Sequence, residues 1–266
     1  MKTSLCGFCL ALSSFFLSPS SFGQGSLTPP GAPAPTMKTL DQIEPRTPIS
    51  TLPFTISAPG VYYLTKNITT TGGGITIDTD DAVLDLGGFT LTGDGTAGDR
   101  GVDVSAQARV TIRNGTLRNF GLGINLAAGT AEALVEDLTI VDCTSTGLFA
   151  PATASVQLLR SVFRRVRLVG NNSGGISITS FAGAPAARNV IDLCEALGNT
   201  NDGISVNATG NLIVRCLASG NGTNYNIVAN NRTGLVVLPA VNAAAINGAS
   251  GGVGSGTTDP FANLSY

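Results

Sequence analysis

The 266 residues contain no histidine and no tryptophan, and only 12% of them are charged. Without imidazole there is no histidine-activated nucleophile, and a zinc hydrolase site loses its usual ligand. Lysine is almost as scarce: Lys2, Lys38 and Lys66 are the only three, so from Asn67 onward every cation is an arginine. A formal net charge of −2 argues against nucleic acid as a partner. Of the five cysteines, Cys6 and Cys9 sit in an N-terminal apolar stretch, which leaves Cys143, Cys194 and Cys216. An odd number of cysteines in an exported chain does not make a disulfide scaffold.

The chain opens on Lys2, then an apolar run from Leu5 to Leu17 too short to span a bilayer, then "SPSSFGQG". This pattern predicts a signal peptide over 1–23, cut after Gly23 with Ser21 at the third position back. It implies a secreted protein, extracellular or, in a bacterium, periplasmic or on the cell surface. No later segment is long and apolar enough to span a membrane. Six of the thirteen prolines lie between Thr28 and Pro48, so 24–53 reads as an extended linker or N-terminal wrap. The Gly-rich stretch 247–266 reads as a flexible tail, and the body runs from 54 to 246.

The body repeats itself. Gly-apolar pairs recur at Gly74-Ile75, Gly101-Val102, Gly123-Ile124, Gly147-Leu148, Gly175-Ile176 and Gly203-Ile204, and Asn226-Ile227 continues the series. A second series runs Leu86, Ile112, Val135, Phe163, Ile191, Ile213. Three residues after each stand Phe89, Gly115, Leu138, Val166, Cys194 and Cys216, and five after come Leu91, Leu117, Ile140, Leu168, Ala196 and Ala218. Positions 3 and 5 alternate with period two, the mark of a strand facing a core on one side, and the two residues before position 3 turn a corner. After each glycine, "GISI", "GISV" and "GVDV" alternate again. Several short strands per 22 to 28 residues predict an all-β solenoid of about seven coils, stacked about 4.8 Å apart. Asn171, Asn199 and Asn221 each follow a glycine and predict a column of stacked amides. Cys194 and Cys216 would stand one above the other as reduced thiols, their parallel side chains ill-aimed for a bridge.

"VRLVGN" also fits the core of a leucine-rich repeat, but such repeats follow the asparagine with helical or turn spacing, and here "GISI" supplies a strand. The Gly-Ile/Val anchors, the stacked asparagines and "LDLGGFTLTG" resemble the right-handed parallel β-helices of the pectin-lyase-like superfamily. "FTISAPGVYYLTKNI" resembles the opening strand pair of those proteins, and both ends of the mature chain resemble secreted bacterial members. The resemblance implies the fold strongly and an activity weakly. The Gly-His-Gly element of polygalacturonase-like hydrolases is missing. Lyases of the superfamily hold calcium on acidic residues and use a basic residue, often arginine, to take a proton.

Two clusters invite chemistry. Asp78, Asp80, Asp81 and Asp85 are the candidate metal ligands, calcium being the cofactor only under a lyase or epimerase reading; Asp80-Asp81 also reads as a solvated corner. Arg160, Arg164, Arg165 and Arg167 in "RSVFRRVR" are the candidate substrate-binding residues, because guanidinium groups grip carboxylates and sulfates in bidentate fashion. Against this, the corner residues Arg113, Glu136, Arg164 and Asp192 alternate in sign, as a ladder of ion pairs between coils would. No catalytic residue is carried over from the resemblance. Three functions follow: an exported β-helix binding acidic polysaccharide, a calcium-assisted lyase or epimerase, or a non-enzymatic structural or surface-interaction rod.

Overall fold

The computed structural model describes residues 46–153, 156–181, 187–237 and 260–265. Contacts divide the chain into two units, 1–43 and 44–266; the first, with the expected signal peptide, lies outside the described residues.

The described residues of 44–266 form strands and turns with no helix. All the strand pairings are parallel, in two sheets of eight and fifteen strands. The smaller sheet stacks Phe54, Ile75, Val102, Ile124, Leu148, Ile176, Ile204 and Tyr225 in one column. Six of these follow the glycines of the sequence repeat, so the repeat and the stack coincide. Above Ile204, however, Tyr225 takes the position that the sequence assigned to Ile227, which instead lies over Val206.

The larger sheet is folded lengthwise into two faces. On the first, Tyr62, Leu84, Ile112, Val135, Phe163, Ile191 and Ile213 stack. The residue beneath Ile112 is thus Leu84, two positions before the expected Leu86. The second face stacks Ile68, Leu91, Leu117, Ile140, Leu168, Ala196, Ala218 and Ser265, the expected column with one addition at each end. Between Leu84 and Leu91 the chain has two more residues than later coils have, and the Gly87-Gly88 pair, both at positive φ, absorbs them. Leu86 consequently turns inward beneath Gly115, where a Cβ would overlap it.

Three corners join the three faces, and backbone in the left-handed region recurs at each. The first corner has Asn114, Asp137, Arg165, Leu193 and Arg215 at positive φ; the second has Asn119, Asp142, Gly170, Gly198 and Gly220. The third, returning to the first face, has Asp81, Arg109, Glu132, Arg160, Arg188, Gly210 and Asn230. One left-handed residue breaks the strand twist and aims the next strand around the core. Coils of 28 residues differ from shorter ones at the third corner, where the extra residues fall between Ala150 and Leu158 and between Ile178 and Ala187.

The interior is a continuous apolar column flanked by ladders of asparagine. Asn171 Nδ2 donates to Asn199 Oδ1 (2.9 Å), Asn199 Nδ2 to Asn221 Oδ1 (2.8 Å) and Asn221 Nδ2 to Asn224 Oδ1 (3.0 Å). Asn199 Oδ1 and Asn221 Oδ1 also accept the backbone N–H one coil below, and Cys143 N–H donates to Asn171 Oδ1 at 3.1 Å. A second ladder, unforeseen from sequence, stands at the third corner: Ser161 N–H donates to Asn189 Oδ1, Asn189 N–H to Asn211 Oδ1, and Asn211 N–H to Asn231 Oδ1. The strands leave these corner N–H groups without a partner, and the amide oxygens satisfy them.

Gly147, Gly175 and Gly203 of the repeat pack against the first ladder. A Cβ on Gly175 would lie 2.5 Å from the Gly203 carbonyl oxygen, and one on Gly203 would lie 2.6 Å from Asn221 Nδ2. Both expected ends contain strands: Arg46–Ile49, within the Pro-rich segment, pairs with Gly60–Leu64. Within the expected flexible tail, Asn263–Ser265 lies between Leu217–Ser219 and Val236–Val237, and Asn263 Oδ1 accepts Cys216 N–H at 2.9 Å.

Candidate functional site

The four arginines of the belt point outward, as alternation with Phe163, Val166 and Leu168 requires, and each meets a carboxylate of a neighbouring coil. Arg160 pairs with Glu132 at 3.0 Å, Arg164 with Glu136 at 2.6 Å, Arg165 with Asp137 at 2.5 Å and Arg167 with Glu195 at 3.2 Å. The belt is therefore neutral in sum, although its arginine side chains stay 42–54% exposed. The Arg165 contact holds the Asp137 carboxyl below the ordinary carboxylate range.

The ladder at the first corner has the expected order, Arg113, Glu136, Arg164, Asp192, and Asp85 extends it below Arg113, where the sequence register puts Gly87. Its contacts run in pairs rather than continuously. Arg113 reaches back to Asp85 (3.1 Å) and Arg164 to Glu136, while Arg215 clasps Asp192 with both ends of its fork. The carboxylates are the less exposed partners, Glu136 at 10% against 42% for Arg164. These pairs tie one coil to the next at a bend.

The four aspartates of the other cluster are divided between two places and engaged in both. Asp81 takes a bidentate bond from Arg109 (2.6 and 2.9 Å), which lowers its pKa. Asp80 accepts Ala108 N–H at 2.8 Å and Arg109 at 3.3 Å, and Asp78 accepts Gln107 Nε2 at 3.3 Å. Asp85, on the first face, accepts Gly87 N–H, Arg113 and Asn114. Among the described residues, no three carboxylates or thiols gather as a metal site would need.

All three cysteines of the body are buried and free. Cys194 and Cys216 follow Val166 up the interior of the first corner, and their Sγ atoms face backbone carbonyls at 3.2–3.6 Å. Burial pushes the Cys143 thiol up to about 11 and raises that of Cys216, with the neighbouring Cys194 adding to the effect. Tyr225 Oη lies 2.8 Å from the carbonyl oxygens of both Cys216 and Leu264, and burial raises its pKa. None of these groups is poised as a nucleophile.

Sequence reasoning missed a cleft at the third corner. It has a volume of about 490 Å³, and its lining includes Arg188, Asn189, Val190, Gly210, Leu212 and Arg232. The signal was present: read up its column, Arg188 is followed by a glycine where an acid would close the pattern.

The coils, their parallel stacking and their corners agree with comparison to known proteins. A family model described as "Right handed beta helix region" matches residues 64–248. The chain belongs to the right-handed β-helix family. Neither the curated proteins nor the solved structures include a match to it. For this β-helix, family membership supports the fold and the repeat; what the coils carry on their outer surfaces is particular to the chain.

Proposed function

We propose that this β-helix is an exported, non-catalytic rod that associates with acidic polysaccharide along its side. The observation supporting the reading is the belt of Arg160, Arg164, Arg165 and Arg167, whose side chains are fixed by carboxylates yet remain about half exposed. A guanidinium has five N–H donors, and one carboxylate uses at most two or three. The remainder can meet ring hydroxyls and carboxylates of a chain lying across the coils, and prior fixing reduces the entropy lost on binding. Three of the candidate metal ligands of the lyase reading are engaged elsewhere: Asp80, Asp81 and Asp85 hold Arg109 and Arg113.

A second reading, a purely structural or surface-interaction rod, is favoured by the neutrality of the belt, which gives no long-range attraction for a polyanion. One screen separates the readings. The purified protein is run by affinity electrophoresis through polygalacturonate, alginate and a neutral glucan, with and without calcium, while unsaturated uronate is followed by ultraviolet absorbance. Retardation by the acidic polymers without turnover is expected. Calcium-dependent release of unsaturated product would establish a lyase instead, and equal mobility in every gel would leave the structural rod.

A further inference from the structure

From Arg100 to Arg215, every arginine except Arg188 meets a carboxylate. Arg232 likewise makes no ion pair among the described residues, and both line the third-corner cleft. The reason is columnar. Arg188 stands above Arg160, whose charge is taken by Glu132, and beneath Gly210, which has no side chain. Arg232 continues the column of Val190 and Leu212, so the two arginines belong to coils two apart, about 9.6 Å along the stack. Gly210 lies at the level between them, and its missing side chain opens the space.

Two other polar groups in the lining are occupied. The Asn189 and Asn211 amides are held in the second ladder, with Nδ2 of Asn189 on Leu158 O (3.2 Å) and Nδ2 of Asn211 on Ala208 O (2.9 Å). Among the described residues, no carboxylate lines the cleft. The segment 182–186 that leads into Arg188 reads "AGAPA" and carries no charge. Val190 is half-buried and Leu212 is 38% exposed, giving the cleft an apolar wall between its two cationic ends.

We propose that this cleft binds an oxyanion, a carboxylate or sulfate group, carried on a body with an apolar face. Two guanidinium forks supply the charge-assisted donors such a group takes, while Leu212 and Val190 receive the apolar side of the molecule that bears it, as the C–H face of a sugar ring would. The site uses none of the belt's arginines, although Arg160 of the belt lies one coil beneath Arg188 at the same corner.

The test is a titration of the mature protein with inorganic sulfate, sodium glucuronate and glucose, followed by the side-chain Nε–H signals of its arginines in NMR spectra. Sulfate and glucuronate should shift Arg188 and Arg232 saturably, glucuronate more tightly, and glucose should shift neither. Added sodium chloride should weaken both responses. The double variant R188Q/R232Q, altered at two exposed positions, should keep the circular dichroism of the parent and lose at least tenfold in affinity. R118Q, at an exposed arginine outside both the belt and the cleft, should bind as the parent does. Absence of a saturable shift at Arg188 and Arg232 would overturn the site, as would undiminished binding by R188Q/R232Q or an equal loss in R118Q. Sulfate binding as tightly as glucuronate would overturn the apolar wall.

Discussion

Replacing Asn199 with alanine should cost about 3–5 kcal/mol. Its Oδ1 accepts Asn171 N–H (3.1 Å) and Asn171 Nδ2 (2.9 Å), and its Nδ2 donates to Asn221 Oδ1 (2.8 Å) and Leu168 O (3.2 Å). Alanine retains the backbone N–H that Asn221 Oδ1 also accepts, and Asn171 Nδ2 retains a long contact to Ile140 O, so neither group is stranded. The group left with nothing is the buried Asn171 N–H. One unsatisfied buried donor costs about 1–3 kcal/mol and each lost amide bond about 1 kcal/mol net. The sum is a large share of the 5–15 kcal/mol typical of a whole domain. Urea unfolding followed by circular dichroism measures it, provided the slope of the transition is unchanged. A cost below about 1 kcal/mol at constant slope would refute the reasoning, because it would mean that water replaces the amide inside the stack. Asn199→Asp sharpens the test. Burial raises the carboxyl above its unfolded value of about 3.9, so the variant matches the parent best at acid pH, where the group is neutral in both states. As pH rises above about 4 the unfolded chain ionises first, and the variant loses up to about 1.4 kcal/mol per pH unit relative to the parent until the folded carboxyl ionises too.

Gly175→Ala should destabilise by about 2–4 kcal/mol, since the obstructing atom is a backbone carbonyl, whereas Gly72→Ala and Gly98→Ala, with open space around them, should stay within about 0.5 kcal/mol in the same assay. Leu193 is 42% exposed at φ 53°, so Leu193→Gly and Leu193→Asn should raise the thermal midpoint through a gain of roughly 0.5–1 kcal/mol. Asp137→Asn should cost no more than about 1 kcal/mol. Because the folded pKa of Asp137 is depressed, that contribution is present above the unfolded pKa and is lost as pH falls through the folded one, which parallel acid titrations of parent and variant will show. Thiol reagent at neutral pH should leave the native protein unmodified and find three thiols in the unfolded mature chain; a single reactive thiol would mean that Cys194 and Cys216 are bridged.

Much of the architecture was legible because a stack repeats its constraints. Gly175 and Gly203 recur for the same reason, a ladder amide and the next coil's carbonyl at the inner bend, and a pattern with one cause survives any single substitution. The errors fell where coil length changes locally. Leu86 falls out of line with Ile112 because the chain makes up two residues at Gly87-Gly88, and Asn226-Ile227 fits the Gly-apolar pattern although Tyr225 holds the position over Ile204. The ladder of Asn189, Asn211 and Asn231 could have been found, since the first two directly precede the apolar pairs Val190-Ile191 and Leu212-Ile213. The pairing of the arginines could not. Whether Arg164 turns down to Glu136 or up to Asp192 depends on side-chain direction at a bend, and both acids were equally near in the alignment.

The amide column and the charge column imply different units of growth. Every coil of the asparagine ladder presents to the next what it accepts from the one before, so along that edge a duplicated or deleted coil leaves its neighbours correctly bonded. Along the first corner the sign alternates, Asp85, Arg113, Glu136, Arg164, Asp192, and identity returns only after two coils. Removing the coil of Glu136 alone would set Arg113 against Arg164, while removing it together with the next would set Arg113 against Asp192. Lengthening or shortening of this rod over evolutionary time is thus easiest in steps of two: one edge is indifferent to parity and the other counts it.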